Sequence, residues 1–548
     1  MGWGGFSLRC WMAVAAIHCH AQTADLVVVN AHVYTVDEAR PSASSIAVKS
    51  GRILAVGDDL SRYTATKRID ARGATILPGL IDCHAHMRSL GDSLGDNPET
   101  LDLRAAKSEA EIVEKVRLAA HDRKPGEWIR GRAWDQNLWP GKRFPTSQGL
   151  SAAAPDNPVF LTRVDGHAAW VNRKALDLAD INGSIPDPAG GKIVRDASGA
   201  PTGVFIDRAQ GLVERKIPAP TPRENERRIA RAARECARLG LTTVHDAGVD
   251  EADIAAYRAL IARNELPVRV YAMIAGAVWD TAWKNNRRPE IGERLTIRSI
   301  KLVADGALGS RGAALLQPYT DDPGNSGLLI LDEASIRRVA LEAVARGFQV
   351  NTHAIGDRAN RTVLNAYAAA LKGPNDKRFR IEHAQVIAPD DFARFREYSV
   401  IASMQSTHAT SDMGWAVTRL GPERIQGAYA WQTFLKLGVR VPNGSDFPVE
   451  NPNPIWGFFS AVTRQDHQGN PPGGWFPDQR MTREQALKSW TIEGAYAAFE
   501  ENEKGSLTPG KLADFVMLSG DIMKIPAAEI WKTRVTMTVL NGAIVHSE

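Results

Sequence analysis

Five residues at the ends of separate apolar runs are of the types that bind divalent cations or move protons. His84 and His86 close the run LPGLIDCHAH with one residue between them. Residues two apart on a strand share a face, so both imidazoles would leave one strand end in the same direction. Neutral imidazole is a frequent ligand of zinc and similar metals. His353 in NTHA, His383 in IEHA and Asp446 in GSDFP each follow a later run of the same texture. Alone, any of them is ordinarily a hydrogen-bonded structural residue. At equivalent strand ends, four histidines and an aspartate would converge on one small volume. Lys301 differs, lying inside the apolar run IKLVADG. A buried amine is costly unless paired or neutral. Two explanations stay open: an ion pair with Asp305 or another carboxylate, or reaction with carbon dioxide to a carbamate that could bridge two cations.

A second tier of residues could touch a substrate. His167 in DGHAAW is either a substrate contact or an ordinary loop residue. Arg311 could bind a carboxylate, or simply pair with Asp305 or another acid. His408 is placed to contact a carbonyl or the substrate body, and His245-Asp246 to support the ligands rather than join them. Cys83, neighbouring His84, should point to the opposite side of the strand and pack. Trp134, Trp139, Trp415 and Trp475 suit either an apolar substrate or a core, and the loop 469–477 could line an entrance.

Eight β-like runs could present these groups, at 76–83, 242–245, 268–274, 297–304, 348–353, 379–383, 400–404 and 439–443. Amphipathic helices separate them, several opening on capping boxes such as Thr221 with Glu224 and Thr482 with Gln485. The pattern predicts an α/β fold, a TIM-like (β/α)8 barrel, whose functional residues gather at the C-terminal ends of the strands. The gap after the first run is too long for a simple crossover, so an inserted subdomain is expected over about 89–235. Residues 22–76 and 505–548 both read as short strands, with turn signals at Ser50-Gly51 and Asn541-Gly542. Neither piece is a comfortable sheet alone. They are expected to form one composite β-sandwich domain flanking a barrel over 77–504.

The 548 residues, 44% hydrophobic and 24% charged, are ordinary globular material with room for a large core. Lys and Arg number 67 against 63 Asp and Glu, a net charge of +4 with no basic concentration, so nucleic acid is not an expected partner. No apolar run approaches the roughly 20 residues that cross a bilayer. Four cysteines are too few for a disulfide scaffold. Residues 1–21 resemble a weak secretory signal cleaved after Ala21, which implies a periplasmic or secreted protein, or otherwise a cytoplasmic one. Cleavage would remove Cys10 and Cys19, leaving Cys83 and Cys236 as buried small residues.

LPGLIDCHAH, IKLVADGALGSRGAAL, VNTHAIGDRA, RIEHAQ and NGSDFPVE together resemble the metal-dependent amidohydrolase superfamily. More narrowly they are similar to its family 3 branch, which includes the N-substituted formamide deformylases. The resemblance covers essentially the whole chain after residue 24. It implies two zinc ions: His84 and His86 hold the more buried one, His353 and His383 the other, and a carboxylated Lys301 bridges them. It further implies that Asp446 touches the first metal and acts as general base and then acid. The expected activity is hydrolysis of a carbon–nitrogen bond in a small non-peptide amide, by a chain that could form a homo-oligomer. Two alternatives remain: a one-metal deaminase or cyclic-amide or lactone hydrolase with Lys301 unmodified, and a catalytically silent binding barrel.

Overall fold

The computed structural model describes residues 1–2, 22–94, 100–284 and 287–548. From residue 3 onward the expected leader, with Cys10 and Cys19, lies outside the described residues.

Seven parallel strands form the central sheet in chain order: β1 (Leu80–Ala85), β2 (Leu241–Val249), β3 (Arg269–Ala275), β4 (Leu295–Val303), β5 (Gln349–Ala354), β6 (Arg380–His383) and β7 (Ile401–Ser403). Every residue of β1, β5, β6 and β7 is buried, as expected where helices cover the outside and side chains fill the inside. The eighth run, 439–443, is not a regular strand. It closes the barrel by separate bonds instead: Ala402 N to Arg440 O at 3.1 Å and Met404 N to Pro442 O at 3.1 Å on one side, Cys83 N to Asn443 O at 3.0 Å on the other. Pro442 has no N–H to give, which breaks the ladder there.

The first run also differs from expectation. Residues 76–83 do not form one strand; Thr75–Pro78 belongs to the flanking domain and β1 begins at Leu80. The chain crosses over at Gly79, where a Cβ would lie 2.2 Å from Thr242 Oγ1. The flanking domain pairs both chain ends. Its six-stranded sheet runs Ala543–Ser547, Val535–Leu540, Phe515–Leu518, Thr75–Pro78, His32–Tyr34, Ser42–Ala43, and a four-stranded sheet holds Arg52–Gly57, Ser45–Lys49, Gln22–Val29 and Tyr63–Asp70. Asn541-Gly542 and Ser50-Gly51 all have positive φ, the tight hairpin geometry their residue types favour.

Between β1 and β2 an inserted six-stranded sheet spans Leu101–Asp102 to Pro201–Asp207. Trp134, Trp139 and Trp170 pack with Leu103 and Ile112 in its own core. The insertion ends earlier than about 235. Helix α1 (Pro222–Arg238), opened by the Thr221–Glu224 capping box, places Ile229, Ala232, Ala233 and Cys236 in the barrel core and is the barrel's own crossover helix. Among the described residues no helix is long and apolar enough to cross a membrane.

Candidate metal centre

Alternation along β1 sends Asp82 and His84 into the barrel mouth and Ile81 and Cys83 outward, against Ala495. Cys83 is therefore packing. Asp82 accepts from Ser445 Oγ at 2.6 Å, and Asp446 N donates to His84 O at 2.7 Å. These bonds bolt the loop after the eighth run to the end of the first strand, which sets Asp446 beside His84. Strand parity alone would put Glu382 inside β6 and His383 outside. His383 instead has φ +71° and Ala384 φ +42°, a left-handed turn unusual for residues with a Cβ. That turn swings the His383 ring back over the mouth. Asp446, at φ +59°, is aimed by the same device.

The imidazoles form a file: ring centroids are 5.5 Å apart for His86 and His84, 4.8 Å for His84 and His383, 4.5 Å for His383 and His353. His84 Nδ1–H donates to Glu382 Oε2 at 2.5 Å and His383 Nδ1–H to Gln405 Oε1 at 2.7 Å. Each bond fixes the tautomer that leaves Nε2 bare. Burial pulls the His84 pKa down to about 4 and holds His383 and His353 well below the usual imidazole range, so all three are neutral. Asp446 Oδ1 lies 3.7 Å from His84 Nε2 and 3.2 Å from His86 Nε2. It is buried and accepts no well-angled hydrogen bond. Burial opposes the Asp446 charge, but the surrounding histidines, His408 first, hold its pKa well below the carboxylate norm. Ligand atoms of His84, His383 and Asp446 lie within 4.8 Å of one another. Two unprotonated imidazole nitrogens, one of them beside the Lys301 amine, and an orphaned carboxylate oxygen in a buried cluster fit a divalent cation.

Lys301 Nζ donates to His84 Nε2 at 3.0 Å. It makes no ion pair among the described residues, so the pairing with Asp305 is not formed. Asp305 instead accepts from the backbone N–H groups of Ala314, Ile355 and Gly356. Burial lowers the Lys301 pKa to about 8, leaving part of the amine neutral near physiological pH.

His84, His86, Lys301, His353, His383, Asp446, His167 and His408 all line one cavity of about 390 Å³. His167 reaches it from the inserted sheet, its ring 5.0 Å from His353 and its Nδ1–H donating to Asp207 Oδ1 at 2.6 Å. Burial works against a charged His167, yet Asp207 raises its pKa. His408 stands between carboxylates, Nε2 at 3.3 Å from Asp446 Oδ2 and Nδ1 at 3.3 Å from Glu450 Oε1. They overcome its burial and raise its pKa to about 10.

Arg311 is the expected site residue that does not arrive. It grips Asp321 at 3.0 and 3.2 Å and does not line the cavity. Trp415 lines the cavity wall, whereas Trp475 packs on Tyr429. Residues that sequence reasoning left without a role orient the others: Glu382, Gln405, Asp207 and Glu450. For Glu382 a signal existed, since Arg380 and Glu382 sit two apart inside an apolar strand and must face inward together. Arg380 Nε indeed lies 2.7 Å from Glu382 Oε1, both fully buried.

Residues 67–546 match the model of the amidohydrolase family. Protein LONG AFTER FAR-RED 3 of Arabidopsis thaliana is 35% identical over 521 residues, spanning 90% of this chain and 87% of that protein. The N-substituted formamide deformylase of Arthrobacter pascens is 27% identical over 548 residues, spanning 95% of this chain and 98% of that enzyme. The crystal structure of an uncharacterized metal-dependent hydrolase from Pyrococcus horikoshii superposes with a TM-score of 0.74 at 28% identity, covering 92% of this chain and 99% of that one.

Proposed function

The chain belongs to the amidohydrolase family, and from that premise we propose that it hydrolyses a carbon–nitrogen bond in a small non-peptide amide, with Asp446 as general base and then acid. The family is one of metal-dependent hydrolases acting on carbon–nitrogen bonds other than peptide bonds. The observation that carries the reading is the meeting of His84, His383 and Asp446 donor atoms within 4.8 Å at the barrel mouth.

In this reading His84, His383 and Asp446 would hold a zinc ion, with His86, His353 and Lys301 completing the pocket. A divalent cation bound there would supply Lewis-acid chemistry, lowering the pKa of water and polarising a carbonyl. Asp446 takes the water proton and returns it to the leaving nitrogen. His408 steadies that carboxylate by a hydrogen bond to Oδ2. His167, held by Asp207, faces the same space from the insertion and orients the substrate carbonyl. The partly neutral Lys301 amine is chemically able to add to carbon dioxide, losing one proton to give a carbamate that would serve a second cation. Similarity to an N-substituted formamide deformylase supports trying N-substituted formamides first among substrates.

A second reading keeps Lys301 as a free amine, its Nζ 3.0 Å from His84 Nε2, with one metal in place of two. Metal content per chain and the intact mass of Lys301 peptides separate the two. The test of the main reading is a screen of the zinc-loaded protein against formamides, N-acyl amino acids, carbamates and lactones, with a chelator-stripped control. Amide turnover that vanishes on stripping and returns with zinc is expected; strong ester turnover with every amide inert would overturn it.

A further inference from the structure

A cavity of about 790 Å³, larger than the metal cavity, meets it at His167, Lys301 and Val303, which line both. Val303 ends β4, and Ile330 and Leu331 follow in the loop beyond it. Val339 of the helix Glu333–Arg346 and Phe160 of the inserted strand Val159–Arg163 complete the apolar walls. Val303, Ile330 and Leu331 are only half-buried, so their side chains still present apolar surface to this space.

The inner charges of this cavity are already matched. Asp280 accepts from Arg338 at 2.9 and 3.1 Å, Asp207 accepts the Nδ1–H of His167 at 2.6 Å, and Lys301 turns its amine to His84. Arg208 and Glu214 are exposed. The surface left for a ligand is therefore mainly apolar, and covering it would be favourable. Which half of an amide enters follows from where the proton donor stands. Asp446, with His408 and Glu450, lines the metal cavity and not this one. The leaving nitrogen must take its proton from the general acid as the C–N bond breaks. The amine half therefore lies on the Asp446 side. The acyl half extends from the scissile carbon away from that nitrogen, past Val303 and His167, toward the larger cavity.

We propose that this cavity is an acyl subsite. The substrate is then an amide of an apolar acyl group of several carbons and not a formamide, whose acyl side is a single hydrogen. The proposal rests on the amide-hydrolase reading, with Asp446 as proton donor, but the subsite is tested by binding alone. The probes are uncleavable ketones in which CH2 replaces the amide NH of N-benzylacetamide, N-benzylbutanamide and N-benzylhexanamide. Calorimetric titration of the full-length zinc-loaded protein should find affinity rising about 10- to 100-fold from the acetyl to the hexanoyl ketone. Each buried methylene is worth roughly a three- to fourfold gain. Ala277 is exposed on the wall of this cavity and does not line the metal cavity. Ala277→Trp should erase the gain and leave the acetyl ketone's affinity unchanged, which also shows that the variant is folded. Ser335→Phe fills the same space from the helix Glu333–Arg346 and should act alike. Affinity that does not rise with acyl length, or a rise that survives both substitutions, would overturn the proposal. So would an Ala277→Trp penalty that falls on ligands lengthened at the amine arm. Wild-type turnover of the parent amides is scored separately, so inert amides beside an intact chain-length gain would sink the hydrolase reading and leave the subsite standing.

Discussion

Glu382 accepts the Nδ1–H of His84 at 2.5 Å although 298 residues separate them in sequence. Both side chains are fully buried, and Arg380 clamps the carboxylate from the other side at 2.7 Å. Burial opposes the Glu382 charge, but Arg380 and His84 outweigh it and hold the pKa below the carboxylate norm. The result is an imidazole of fixed tautomer whose unprotonated nitrogen faces the candidate metal centre.

Glu382→Gln should therefore lower zinc affinity about 10- to 100-fold, the usual effect of removing a ligand's orienting carboxylate. Competition against a chelator measures it. Unchanged affinity would show that His84 needs no anchor.

Asp446→Asn removes the only carboxylate of the close ligand trio. Turnover should fall by about a hundredfold or more, as expected when a positioned acid–base group is lost. Rate measurements at matched zinc occupancy check this, and a variant that keeps full activity would reject the proton-transfer role.

Gly306→Ala tests the insertion's contribution. A Cβ at Gly306 would lie 2.6 Å from Asp207 Oδ2, displacing the carboxylate that holds His167. We expect kcat/KM to fall about tenfold or more from misplacement of a substrate-facing group. Gly324→Ala is the control, since its Cβ would meet nothing within 4 Å.

Asp305 should shape the acid limb of stability in the apoprotein. Burial raises its pKa from 3.8 to about 7, despite three backbone N–H donors. The folded state therefore binds the proton more tightly than the unfolded one. This contribution is fully present below pH 4 and is lost as pH rises through about 7. At about 1.4 kcal/mol per pK unit it amounts to roughly 4 kcal/mol. Urea unfolding of wild type and Asp305→Asn across pH 4–8 should give a difference curve that falls with rising pH. A flat difference would contradict the assignment.

Much of the barrel was legible because its strands are buried on both faces and stand out as short apolar runs. The exceptions have local causes: Pro442 interrupts the eighth run, and Gly79 divides the first between two domains. Lys301 was conspicuous as a charge in an apolar strand. Of the two readings of Arg311 the pairing with an acid holds, but which acid, Asp321, depends on a loop whose path no periodicity reveals.

Residue type and strand position were enough to nominate His84, His86, His353, His383 and Asp446 as one set, because metal ligation demands those side chains and a barrel gathers strand ends. How they meet was settled in three dimensions. The left-handed turns at His383 and Asp446 override strand parity, and Glu382, Gln405 and Asp207 select which nitrogen each imidazole offers. Hydrogen bonds act over about 3 Å of space without regard to chain separation, so no reading along the chain reaches them.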